Sequence, residues 1–232
     1  VVSDSQEKTL PAGQSLPNTL IQSRSPATSD TASLLQDVPG VQMYGAGGVS
    51  SLPVIHGLAD DRLRIKVDGM DLIASCPNHM NPALSYLDPT NVGALKVYAG
   101  ISPVSVGGDS IGGTIIAESK APEFAAAGQR SIAKGEIGAF YRSNNDAMGG
   151  NVSATYATEN FNFTYSGAVS QADNYKSARD FKTSTVTGRV GHTIALDEVG
   201  STAYKTGNHN LGFAMKNGNH LFEAKVGYQD MP

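Results

Sequence analysis

The second half of the chain is a succession of strand-length segments in which polar and apolar side chains alternate, and this pattern limits the fold more than any other feature. Successive strand residues point to opposite faces, so alternation gives a sheet one apolar and one polar face. Phe161-Asn162-Phe163-Thr164-Tyr165 shows it most plainly. Candidate strands cover 131–142, 149–158, 160–171, 183–194, 208–216 and 219–229. Asn144-Asn145-Asp146 and Glu159-Asn160 supply turns, and Asn217-Gly218 is a two-residue hairpin signal. Segments of roughly 10 residues suit a tilted crossing of a bilayer. They also suit a soluble two-sheet sandwich. Alternation alone leaves both open.

Composition removes other classes. No run of about 18 apolar residues exists, so no transmembrane helix is expected. That does not bear on barrel strands, whose hydropathy signal is much weaker. The formal net charge is -4, which gives no basis for a nucleic-acid partner. Only 16% of residues are charged, which is low for a soluble enzyme of this size. No serine, base and acid arrangement can be placed, and the glycines of 107–113 lack the Lys-Ser/Thr of a phosphate loop. An enzyme is therefore not expected. Cys76 is the only cysteine, so no internal disulfide can form. The start at Val1-Val2-Ser3 reads as a mature or trimmed product.

Three zones follow along the chain. Residues 1–26 are polar and Ser/Pro-rich, and are expected to be a tail. Residues 27–125 read as a small mixed α+β domain. Ser29 or Asp30 can cap a short helix carrying Leu34 and Leu35, which Pro39-Gly40 stops. Leu63, Ile65 and Val67 alternate with Arg64 and Lys66, and Asp68-Gly69 is a hairpin turn after which Met70 to Ile73 can return. Asp88-Pro89 suits a helix start. Leu95 and Val97 mark another strand, and the stretch 111–116 is a strand entered through glycines. Residues 126–232 contain only strand patterns.

The candidate chemistry lies in Ser75-Cys76-Pro77-Asn78-His79-Met80-Asn81-Pro82. A thiolate and a thioether are soft donors that favour Cu(I). Zinc sites draw on Cys, His and carboxylates rather than Met. Pro77 and Pro82 keep the segment out of helix, so Cys76 and Met80 can face one space. The plainer alternative also stands: a lone Cys as a small buried hydrophobe, and Met as a gap-filler. His79 is either a third ligand or a solvent-facing neighbour. His192, His209 and His220 fall in strand or turn patterns and read as surface or lumen residues.

The middle zone resembles the plug domain of TonB-dependent outer-membrane receptors. The matching stretches are Ser33-Leu34-Leu35-Gln36-Asp37-Val38-Pro39-Gly40-Val41, Val54-Ile55-His56-Gly57-Leu58 and Ile65-Lys66-Val67-Asp68-Gly69-Met70. Leu87-Asp88-Pro89 follows, and then the run from Val97-Tyr98-Ala99-Gly100 to Ile111-Gly112-Gly113-Thr114-Ile115-Ile116. The chain departs from the family at His56 and Ala99, where an Arg is frequent, and no TonB-box motif stands out in residues 1–10.

The resemblance implies an α+β plug followed by antiparallel strands of a transmembrane β-barrel, which decides between barrel and sandwich. A barrel enclosing a plug has about 22 strands, so only the first part of the wall is expected here. It also implies the bacterial outer membrane, a periplasmic TonB partner and outer-membrane lipid. The segment around Cys76 is similar to the copper-receptor branch. There a Cys and a Met four residues apart bind copper, which carries over to Cys76 and Met80, and a His-x-Met pair from the barrel completes the site. No His-x-Met occurs in this chain. The expected function is binding and import of copper as Cu(I). A siderophore or cobalamin receptor, or a non-transporting adhesin, is the alternative.

Overall fold

The computed structural model describes residues 13–45, 48–72, 81–107 and 110–231. The chain divides into two units, Val1–Ala121 and Pro122–Pro232.

The first unit is built on a sheet whose middle strand carries an apolar run without alternation. Among the described residues its strands are β1 (Gln14–Ser15), β2 (Val41–Tyr44), β3 (Leu52–Ile55), β4 (Leu63–Val67), β5 (Met70–Asp71), β6 (Val92–Ala99) and β7 (Gly113–Ser119), with one α-helix, α1 (Asn18–Arg24). Five of these strands form a sheet in the order β1-β6-β7-β4-β5, and β2 and β3 pair separately. β4 and β7 run parallel, while β6 lies antiparallel to β7. Neighbours on both edges explain why β7 carries Thr114-Ile115-Ile116-Ala117 instead of alternating. Ile115 and Ala117 are fully buried, and Leu34, Leu35, Ile55, Leu84, Leu95 and Val97 close around them.

Turn chemistry behaves as the residues dictate. Asp68 and Gly69 both adopt positive φ (50° and 80°), the mirror-image two-residue turn that suits strand twist. The Asp68 carboxylate then accepts from the Ser119 amide and hydroxyl at 2.9 Å, tying the hairpin to the end of β7. Asp30 caps a 3-10 turn over Thr31–Leu35 by accepting from Ala32 N. Asp88 caps Pro89–Asn91 by accepting from Thr90 N.

The tail expected over 1–26 is folded from residue 14 onward. β1 pairs with β6, and Leu16 N donates to Leu95 O at 2.9 Å. Leu16 and Ile21 are buried in the core. A two-residue strand and a seven-residue helix are too short to show a repeating apolar period, so tertiary burial decides here.

The second unit contains β8 (Ile132–Arg142), β9 (Ala147–Ala157), β10 (Phe161–Ala172), β11 (Tyr204–Asn217) and β12 (His220–Asp230). They form an open antiparallel meander in which each strand pairs with its sequence neighbours. The strand expected at 183–194 is absent. Within it Val186 forms a bridge to Thr193, and Gly191 has φ 75°, so the segment doubles back inside the connection 173–203. The hairpin between β11 and β12 is shifted by one residue: Asn217 pairs with His220, leaving Gly218 and Asn219 in the loop. Gly218, at φ 58°, takes the first loop position, where that turn requires glycine.

Register sorts the side chains of this sheet cleanly. One row crosses it as Ala133, Tyr156, Phe163, Phe213 and Ala224, and the next as Gly135, Ala154, Tyr165, Leu211 and Val226. Leu211 and Val226 are 60% and 69% exposed, and Ile137 on the same face is 86% exposed. The opposite face carries Glu136, Asn151, Ser153, Thr164, Ser166 and Asn210. A sheet that leaves its apolar face exposed and carries polar side chains on the other is the reverse of a soluble protein's arrangement, and it is the pattern of a barrel wall in lipid.

Candidate functional site

Cys76, His79 and Met80 fall within 73–80, outside the described residues. The chain on both sides of that segment is described, and it fixes where the segment begins and ends. On the leading side, Asp71 of β5 pairs with Lys66. Arg64 Nε and Nη2 donate to the two Asp71 carboxylate oxygens, both at 2.7 Å. This two-pronged contact fixes geometry as well as charge. The Arg64 hydrogen bond holds the Asp71 carboxyl below its usual range. The same Arg64 runs under Gly107, where an added Cβ would stand 2.6 Å from Arg64 Cδ. Gly107, at φ 129°, therefore serves both a turn and a close side-chain passage.

On the trailing side, the Ser85 hydroxyl donates toward Asn81 Oδ1 at 2.6 Å and the Pro82 carbonyl at 2.7 Å. These contacts stabilise the 3-10 turn Ala83–Tyr86. Leu84 and Leu87 anchor that turn in the core. The described residues on either side of the segment, Asp71 and Asn81, are thus each engaged in a specific polar contact. The partners Arg64, Asp71, Gly107 and Ser85 carry no motif of their own. The parallel pairing of β4 with β7, not readable from the sequence, sets Arg64 opposite Thr114, and its side chain passes close to Gly107.

Two buried carboxyls lie elsewhere in the first unit. Burial pushes Asp30 up to about 6, against hydrogen bonds from Ser51 and Ala32 that pull the other way. Burial likewise raises Asp88, opposed by Thr90. Their segments touch, because the Thr31 hydroxyl donates to the Leu87 carbonyl. Among the described residues, no group of three His, Cys, Asp or Glu side chains is placed to hold a metal ion. His56, at a position where the family frequently has Arg, adopts φ 49° and lays its ring against Gly40.

Residues 6–114 match the family model of the TonB-dependent receptor plug domain. The first unit is a TonB-dependent receptor plug domain. Solved structures share the fold beyond the plug. A structure described as the copper transporter OprC is 22% identical, with a TM-score of 0.75 over 95% of this chain and 30% of its own. The FrpB iron transporter from Neisseria meningitidis is 18% identical, with a TM-score of 0.66 over 90% of this chain and 30% of its own. A ferric enterobactin receptor mutant from Pseudomonas aeruginosa, in complex with enterobactin, is 14% identical, with a TM-score of 0.65 over 96% of this chain and 33% of its own. No curated protein sequence matches. The chain spans about a third of the length of these structures, and at these identities the likeness is one of fold.

Plug and outward-apolar sheet together place the chain in the bacterial outer membrane. Barrels there have short periplasmic turns and longer outer loops. The turns 158–160 and 218–219 share one end of the sheet, and the connection 173–203 is at the other, which is therefore the outer end. That connection is tied at its base. Asn174 Oδ1 accepts from Thr202 N and Ala203 N, both at 2.9 Å, and Asn174 Nδ2 donates to Glu198 Oε1 at 2.7 Å. Lys176 N donates to Asn144 Oδ1 at 2.8 Å, linking the connection to the neighbouring turn.

Proposed function

We propose that this chain is the plug and first wall of a receptor that captures copper at the cell surface and passes it inward under the action of a periplasmic TonB protein. The observation that carries the reading is the Cys76 and Met80 pair in the sequence between Asp71 and Asn81. Thiolate and thioether favour Cu(I) over zinc or iron. The fold shared with a structure described as a copper transporter supports it. Fold alone does not choose the cargo, because structures described as iron and ferric enterobactin receptors share it too. In this reading Cys76 supplies the anionic donor, Met80 the neutral one, and further strands of the barrel complete the ion's shell. Engagement of the N-terminal segment by TonB loosens the plug, and loss of ligands releases the ion.

The test is a copper titration of the full-length receptor, reading bound metal directly. Cys76→Ala is expected to lower copper binding most, since it removes the anionic donor of the pair, and Met80→Ala less, since a thioether is neutral. Unchanged copper content in the double variant removes the site and leaves a plugged receptor for another cargo.

A further inference from the structure

The apolar face of the sheet is not uniform. Toward its outer end it contains a groove of about 510 Å³. Its floor is bare backbone, because Gly150 and Gly207 have no side chains to fill it. Its walls include Met148, Val169 and Tyr228, which are 45%, 55% and 66% exposed, so apolar surface stays open to an occupant. Lys205, Gln171 and Asp230 also line it. Lys205 pairs with Gln171 across β10 and β11, and Asp230 pairs with Gly207 across β11 and β12, so the polar groups cluster on the last rows before the 173–203 connection. Deeper in, His209 is engaged with the Tyr165 hydroxyl, 2.9 Å from its Nδ1.

We infer that this groove is a binding site for a phosphorylated, acylated sugar lipid of the outer leaflet. An acyl chain lies on the glycine floor between Met148, Val169 and Tyr228, and the lipid's phosphate meets the Lys205 ammonium. The position argues for a lipid occupant: the groove opens on the face that register assigns to lipid, at the depth where apolar side chains give way to polar ones. Charge argues for the head group. An ammonium at the interface attracts anionic lipid. Asp230 repels a phosphate but accepts hydrogen bonds, and an acylated amino sugar brings amide N–H donors besides its hydroxyls, where phosphatidylglycerol brings only the hydroxyls of its head group. The combination of one cation, one carboxylate and one carboxamide around an apolar trough therefore favours a sugar lipid over a phospholipid. This inference rests on the membrane face of the sheet and is independent of the cargo.

The experiment uses the full-length receptor in detergent, with lipid A and phosphatidylglycerol as probes and native mass spectrometry as the readout. The unaltered protein is expected to retain lipid A in preference to phosphatidylglycerol. Gly207→Leu fills the floor, and the sheet has room for it, since an added Cβ meets only Val169 Cγ1 at 3.9 Å. It is expected to abolish retention. Lys205→Gln removes the charge without touching the floor, and is expected to weaken lipid A retention about tenfold, the size of one charge-assisted hydrogen bond. It also keeps the test decisive if Gly207→Leu does not fold. Equal retention by the unaltered protein and Lys205→Gln, or no preference between the two lipids, overturns the inference.

Discussion

The two units solve the burial problem in opposite directions. The plug closes its apolar side chains inward, with Ile115, Leu34 and Leu35 essentially removed from solvent. The sheet turns its apolar side chains outward, and Ile137 remains 86% exposed. The same amino acid is therefore a core residue in one unit and a lipid contact in the other. What differs is the solvent each unit was shaped for, which means that exposure cannot be judged as a fault without knowing what surrounds the molecule.

Replacing the isoleucine in each place gives the largest contrast. Ile115→Ala leaves a cavity among rigid neighbours and is expected to cost about 2–5 kcal/mol. Ile137→Ala leaves no lasting cavity because lipid flows into the space, so only the transfer part of that cost remains. Hydrogen exchange on the full-length receptor reads the opening free energy of β7 and β8 separately. Equal losses at the two sites would break the contrast.

A charge sharpens it on one strand. Val152 sits mid-strand on the outward face, and its neighbour Ser153 points inward, opposite Glu136. Val152→Arg is expected to destabilise by about 2–4 kcal/mol at the bilayer midplane, whereas lumen-facing positions tolerate charge. Ser153→Arg should therefore be nearly neutral. Urea unfolding in lipid vesicles measures both, and a reversed order would reassign the faces.

The third expectation belongs to the plug alone. Burial raises the Asp30 carboxyl from 3.8 to about 6. It is thus held more easily as the acid in the folded state, and the stability this contributes is fully present below the unfolded value of 3.8 and lost as pH rises through about 6. The swing is about 3 kcal/mol, at roughly 1.4 kcal/mol for each pH unit between the folded and unfolded values. Asp30→Asn should flatten that dependence while keeping the capping oxygen for Ala32 N. Amide protection of the 31–35 turn from about pH 4 to 7.5, corrected for intrinsic exchange, checks it. An unaltered slope in the variant would assign the pH response to another group, Asp88 first.

Much of this architecture was legible because local chemistry carries it. Alternation located β8, β9, β10, β11 and β12, and Asp68-Gly69, Asp30 and Asp88 acted as turn and cap as their residue types require. Failures arose where long-range packing outweighs local pattern. Leu16 and Ile21 are core residues only because β6 and its neighbours receive them. The alternation of 183–194 belongs to a segment that folds on itself through Gly191. Cys76 and Met80 were proposed from the family resemblance together with donor chemistry and lie outside the described residues, while Arg64 and Asp71 signal nothing until β4 and β5 are paired.

The parallel pairing of β4 with β7 has a kinetic consequence. Leu63 must find Gly113, and Gln14 must find Val97, before the plug sheet is complete. Every pairing in the meander joins strands adjacent in sequence. Loop closure over long separations is slow, and local hairpins close quickly. The wall strands therefore have a head start of contact order, and the plug is the slower element to mature.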